Sequence, residues 1–274
     1  MASRVPRALR SALPHIVLTM FSLMILLPLL WIVRVSLTDK LTAYKIPPEI
    51  GTLGLFNYAD VFVKYNFLIW FMNSAVVALA ATAISLPLAT ALAYAFARFN
   101  TGGASLRLGL LASQMLPPII LVLPLFAMFL TAGLMQSRIA LIAAHLTISL
   151  PFLAWMLVSF FEGDLARLEE AARVDGATRW QAFTRISVPV AAPGILAAGL
   201  LGFILSWNEF LFALVLSGPR TQTLPVGLAS LETHAGVEIA PLAAATVVSL
   251  LPVFLLLPFL RKHLIKGLSL GALK

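Results

Sequence analysis

The sequence predicts an all-α, polytopic membrane protein with six transmembrane helices. Hydrophobic residues make up 61% of the 274 and charged residues only 11%, with a mean hydropathy of +0.99. A soluble domain carries about 25% charged residues, so this chain lacks the charge to cover itself in water and lipid must solvate it. Six stretches reach the roughly 20 apolar residues that a helix needs to cross a hydrocarbon layer about 30 Å thick. The basic residues are also shared unequally between alternate loops, as membrane topology requires.

The first span, Leu13–Val33, follows Arg4, Arg7 and Arg10. A cleavable signal peptide has similar flanks, but its apolar core runs about 7–15 residues and ends in a small-residue cleavage site. Here the run is longer and leads to Arg34 and Lys40, so a retained helix is expected. The second, Phe67–Ala95, is long enough to tilt. Leu106–Leu130, Ile139–Phe161, Pro193–Leu216 and Ile239–Leu260 complete the set. Pro87, Pro117, Pro118, Pro124, Pro151 and Pro252 fall in or near spans, where each removes a backbone donor and bends its helix.

With the N-terminus inside, 13 of the 19 lysines and arginines fall in inner segments. Both termini are therefore expected in the cytoplasm, and the chain in the inner (cytoplasmic) cell membrane. The expected organisation is a cytoplasmic tail (1–12), a first helix with an outer loop (13–66), a transmembrane core (67–262) and a cytoplasmic tail (263–274). The core contains a long inner loop, 162–192.

Several classes of chemistry drop out. Without cysteine there is no disulfide, thiolate metal site or cysteine nucleophile. The net charge of +8 is scattered among apolar segments and forms no nucleic-acid face. No G-x-x-x-x-G-K-[ST] phosphate loop, H-E-x-x-H or G-x-S-x-G motif occurs. The chain is expected to be no enzyme and to hold no metal or cofactor itself.

The inner loop concentrates charge of both signs. Leu165 to Asp175 is rich in good helix formers. Gly176 then offers a left-handed helix stop, and Thr178 an N-cap for a second short helix to about Ile186. Pro189 and Pro193 are expected to end that helix and redirect the chain. The product is a helix–Gly–helix element outside the bilayer, presenting Ala171, Ala172, Trp180 and Phe183. It admits two readings, an amphipathic connector lying on lipid headgroups and a docking surface whose aromatics anchor in a partner's pocket.

The spacing within this loop resembles that of a known family. Glu170-Ala171-Ala172, three residues, Gly176, nine residues, Ile186, one residue, then Val188-Pro189 is similar to the EAA loop of binding-protein-dependent ABC importer permeases. The family usually has leucine where this chain has Val188. PLLWIVRVSLTDK (Pro28–Lys40), MLPPIILVLPLF (Met115–Phe126), SWNEFLFALVL (Ser206–Leu216) and GLSLGALK (Gly267–Lys274) resemble the maltose-type carbohydrate permeases within it. The resemblance implies a type I ABC importer permease fold and a sugar or related polyhydroxylated solute. Polyols, glycerol-3-phosphate and polyamines are alternative cargoes.

The same resemblance implies partners: two cytoplasmic ATPase subunits that bind ATP and magnesium, a second, related permease chain, and an extracytoplasmic solute-binding protein. It makes Glu170, Ala171, Ala172, Asp175, Gly176, Trp180, Phe183, Ile186 and Pro189 the ATPase-coupling positions, with Gly271–Lys274 a further contact. Transport would proceed by alternating access, the docked loop tilting the spans.

Charged and polar groups inside a membrane cost several kcal/mol and mark function. Asn73, Gln114, His145, Asn208 and Glu209 fall within spans. Asn208 and Glu209 stand beside Trp207 and Phe210, a set suited to hydrogen bonding and stacking on a sugar ring. With Asn73, these four are candidates to line the solute path. Helix–helix hydrogen bonding is the competing reading for each. An ion-driven secondary transporter would want more midplane carboxylates and repeated halves than Glu209 alone supplies. A membrane enzyme would have to use Asp164, Glu169, Glu170 and Asp175, which alternate with arginines on one exposed helix.

Overall fold

The computed structural model describes residues 7–47, 49, 51–162, 165–233 and 236–271, with side chains for 14–47, 49, 51–162, 165–231 and 238–261. The architecture is helical throughout. Among the described residues the helices are α1 (Arg7–Leu37), α2 (Phe56–Lys64), α3 (Phe67–Phe99), α4 (Gly103–Met115), α5 (Pro118–Thr131), α6 (Arg138–Phe161), α7 (Leu165–Val174), α8 (Arg179–Ala182), α9 (Val188–Trp207), α10 (Leu211–Leu216), α11 (Leu224–Ala229) and α12 (Ile239–Gly271). Among the described residues, extended structure is confined to a two-residue antiparallel pair, Glu232–Thr233 with Gly236–Val237, and a bridge between Thr38 and Leu53.

Five segments are long and apolar enough to cross a membrane: Pro14–Leu37, Phe67–Phe99, Arg138–Phe161, Arg179–Trp207 and Ile239–Arg261. α4 and α5, bent by 94° at their junction, make a sixth if the pair is taken as one span. The span expected over Leu106–Leu130, with bends at its prolines, is thus divided into two helices by a sharp break. The break follows from Pro117-Pro118: Leu116 and Pro117 are both extended, with ψ near 125° and 131°, and Pro118 opens α5 at a position that needs no backbone donor.

The chain divides into two compact units, one built from the chain up to Phe67 with Leu228–Leu250, the other from Leu68–Gly227 with the chain from Leu251. In the first, α1 leads into a loop pinned to α2. The Asn57 amide, wholly buried, donates to the Ser36 and Thr38 carbonyls at 2.9 and 2.7 Å. Asp60 pairs with Lys40 at 2.9 Å and Lys64 at 2.7 Å. Hydrogen bonds from Lys64 and then Lys40 hold the Asp60 carboxyl below the ordinary aspartate range. Tyr65 donates to Glu238 at 2.5 Å.

The second unit has two layers of core. Phe129, Leu141, Phe212 and Leu216 centre one, between α5, α6 and α10. Tyr94, Leu153, Leu157 and Phe161 centre the other, between α3, α6 and α9. Small residues let the helices approach, which is how helices associate when lipid offers no hydrophobic contrast. A Cβ on Gly202 would stand 3.0 Å from Leu153, and one on Gly199 2.9 Å from Leu86.

The fifth span also departs from expectation. Pro189 and Pro193 do not end the short helix. Phe183–Ser187 forms a π-helical turn in which the Val188 amide donates to the Phe183 carbonyl, and α9 continues from it. The extra residue in the turn places Pro189 in the first turn of α9, where its missing donor is not needed. Further along, α9 stops at Trp207 and α10 resumes at Leu211, so Pro193–Leu216 is interrupted and not continuous.

Candidate functional site

Two places concentrate the polar chemistry, the α7–α8 loop and the interruption between α9 and α10. The loop is built by local rules. Gly176 has φ +93°, which L side chains rarely adopt. The Ala177 amide donates to the Ala172 carbonyl at 3.0 Å and the Gly176 amide to Arg173 at 3.1 Å, the paired bonds that satisfy a helix C-terminus. Thr178 then caps α8: its hydroxyl accepts from the Gln181 amide at 3.2 Å, and the Gln181 side chain accepts from the Thr178 amide at 2.9 Å.

Removing this cap by Thr178→Ala is expected to cost about 1 kcal/mol. Local opening of α8 should then become about fivefold more frequent, read as faster amide hydrogen exchange at Gln181–Phe183.

The exposed surface of the loop mixes apolar and charged side chains, Arg167, Arg173 and Arg179 among the latter. Val174 is 87%, Trp180 71% and Leu168 52% accessible. Glu170, Ala171, Asp175, Gly176 and Pro189 are exposed beside them, and Ala172 and Ile186 half-buried. Phe183 turns inward, its ring 4.6 Å from Tyr94 and 5.6 Å from Trp180. Of the tail Gly271–Lys274, residues 272–274 lie outside the described residues, as do Asp164 and the N-terminal 1–6.

Beneath this face lies a cluster that motif spacing did not reveal. Glu169, beside the motif glutamate, is 6% exposed. Its carboxylate accepts from the Tyr94 hydroxyl, from Arg98 Nε at 2.8 Å and from Ser187 Oγ at 3.1 Å. Burial pushes the Glu169 carboxyl up, but the bonds from Tyr94, Arg98 and Ser187 outweigh it and hold the group below the ordinary glutamate range. Its contribution is therefore present above the unfolded value and is lost only as pH falls through the lowered one. The available signal was Tyr94 and Arg98, four residues apart on one face at the polar end of an apolar span.

At the α9–α10 interruption, Glu209 accepts from the Phe212 amide at 2.8 Å and the Ala213 amide at 3.1 Å, satisfying the start of α10. Its other neighbour is His145, whose Nε2 lies 3.3 Å away, while His145 Nδ1 bonds Ser206 Oγ at 2.6 Å. Trp207 is buried between Phe71 and Phe203. Asn208 and Phe210 are exposed, and the Asn208 amide donates to the Ile204 carbonyl at 2.8 Å. Gln114 is exposed as well.

Asn73 sits apart from this group. Wholly buried, it donates to the Arg220 and Gln222 carbonyls at 3.1 and 2.8 Å and accepts from Arg138 at 2.9 Å. A groove of about 710 Å³ runs past Leu79, Leu86, Phe203 and Leu255, and Asn73, Asn208 and Glu209 are not among the residues lining it.

The described residues thus form a set of apolar helices, broken at α4–α5 and at α9–α10, with an exposed helix–Gly–helix loop. Residues 85–270 match the family described as the binding-protein-dependent transport system inner membrane component, and the chain belongs to it. It is 37% identical over 255 residues to the sulfoquinovosyl glycerol transport system permease protein SmoH of Agrobacterium fabrum, covering 91% of this chain and 89% of that one. To the trehalose transport system permease protein SugB of Mycobacterium tuberculosis it is 35% identical, with 91% and 92% covered.

The fold is similar to that of a chain in a bacterial ABC transporter involved in the import of the acidic polysaccharide alginate. There the TM-score is 0.76 at 21% identity, with 95% of this chain and 99% of that one covered.

Proposed function

We propose that this chain forms half of the translocation path of an ATP-driven importer for a sugar or related polyhydroxylated solute. Its likeness to permeases named for sulfoquinovosyl glycerol and trehalose supports that class of cargo. Of two ATPase subunits, one grips the α7–α8 loop on the cytoplasmic side, where both termini also lie. A second, related permease completes the path, and an extracytoplasmic binding protein delivers the solute. One related complex has been seen with an alginate pentasaccharide-bound periplasmic protein.

The observation that carries the coupling role is the exposed face of the loop, where the large apolar side chains of Leu168, Val174 and Trp180 stand among charged residues, on an element tied to the spans beneath it. Such a face gains from burial in a protein cleft. Non-helical backbone at membrane depth persists where protein buries it or where it lines a wet cavity. Asn208 and Phe210, exposed at the α9–α10 interruption, are accordingly the residues offered to the solute. Glu209, Trp207 and Asn73 hold the walls.

The test is uptake into proteoliposomes of the complex purified with its partner subunits, given a labelled disaccharide loaded on the binding protein. Uptake should require ATP hydrolysis on the loop side and ignore an ion gradient. Uptake driven by a proton or sodium gradient without ATP would overturn the reading, and a binding protein selective for a polyamine would overturn the cargo class.

A further inference from the structure

We infer that Glu169 is a positioning residue that clamps the ATPase-gripped loop to α3, so that displacement of α7 moves the membrane span and is not absorbed in the loop. This rests on the reading of the loop as the ATPase contact and adds to it how motion leaves that contact.

Of the residues of α7, only Leu165 and Glu169 are buried. Leu165 makes an apolar contact, which has no fixed direction and permits sliding. The Glu169 carboxylate is directional. It receives two donors from α3, Tyr94 and Arg98, one turn apart, and a third, Ser187, from the π-helical turn that opens α9. One group thus joins three elements, and its bond to Arg98 is charge-assisted at 2.8 Å.

The pivot is held from behind. The Tyr94 ring lies 5.8 Å from Phe161, 5.8 Å from Phe99 and 4.6 Å from Phe183, so the hydroxyl cannot follow the carboxylate without repacking three rings. Neighbouring glutamates then divide the work. Exposed Glu170 faces the partner, and buried Glu169 carries its movement inward.

The experiment compares complexes purified with their partner ATPase subunits, scored for ATPase content and for solute imported per ATP hydrolysed. Glu169→Gln keeps the shape but removes the charge. It should retain the ATPase subunits and lower solute per ATP about tenfold, within the usual range of coupling between sites. Tyr94→Phe, which removes one donor from an otherwise intact core, should cause a smaller loss of the same kind. Glu169→Asp should recover part of the coupling by restoring the charge.

Glu170→Lys, on the exposed neighbour, should instead release the ATPase subunits. Unchanged solute per ATP in Glu169→Gln and Tyr94→Phe would overturn the clamp. So would loss of the ATPase subunits from these variants, since Glu169 would then merely fold the docking face. If Glu170→Lys keeps both its ATPase subunits and its uptake, the docking reading falls and takes the clamp with it.

Discussion

Replacing Gly176 by proline is expected to abolish ATP-driven uptake while the protein still inserts in the membrane. The residue sits at φ +93°, and proline is confined near −65°. Proline also removes the amide that donates to the Arg173 carbonyl. No neighbouring atom lies within 4 Å of a Cβ at this site, so the penalty arises in the backbone and not from crowding of a Cβ. A misfit of about 3 kcal/mol or more disfavours the native turn by roughly 100-fold. Because α7 and α8 hinge at this turn, the exposed face would break into two halves that no single cleft could hold.

The comparison is Gly176→Ala, whose left-handed strain is about 1–2 kcal/mol and whose uptake should be reduced but present. Equal uptake by the proline variant and the parent protein, at equal amounts in the membrane, would count against a rigid turn at 176.

The second large effect is expected at Glu209. Alanine there leaves the Phe212 and Ala213 amides without their acceptor and His145 Nε2 without its neighbour. Both groups are shielded from solvent: the Glu209 side chain is 7% and His145 1% exposed. A buried donor left without its acceptor costs about 1–3 kcal/mol, and two amides lose theirs here. In a span, water is not at hand to replace the lost bonds. We expect the detergent-solubilised complex to melt lower by roughly 10 °C, using soluble-protein scaling.

Glu209→Gln keeps one acceptor oxygen and should fall between the two. The measurement is thermal unfolding of the purified complex. An alanine variant that melts with the parent would show that the α9–α10 interruption does not depend on this carboxylate.

What could be read in advance followed local chemistry. Six apolar stretches are visible because the bilayer demands length and composition, both one-dimensional properties. Gly176 and Thr178 were legible because a helix stop and a helix cap are decided within four or five residues. The 94° break at Leu116–Pro117 was read only as a bend, because proline dictates the loss of a bond while packing dictates the angle. Pro189 and Pro193 were read as terminators because the π-helical turn that precedes them leaves no mark in propensity.

Glu169 was read, for another reason, only as one carboxylate of an exposed helix, whereas it is buried. Its partners Tyr94 and Arg98 lie more than 70 positions away in sequence, and only tertiary structure brings them to it. The pairing of His145 with Glu209, across 64 positions, was hidden in the same way, although each residue was singled out alone as a costly group in a span.

The central claim is that the α7–α8 element is a handle on the cytoplasmic side, held by an ATPase. The native chain contains no cysteine, so one introduced at Val174, 87% exposed, reports alone. A membrane-impermeant maleimide should fail to label it in intact cells stripped of outer barriers. The same reagent should label it in inverted vesicles washed free of ATPase, and bound ATPase subunits should protect it. Labelling from the outer face, or full labelling in inverted vesicles with the ATPase subunits in place, would contradict the account.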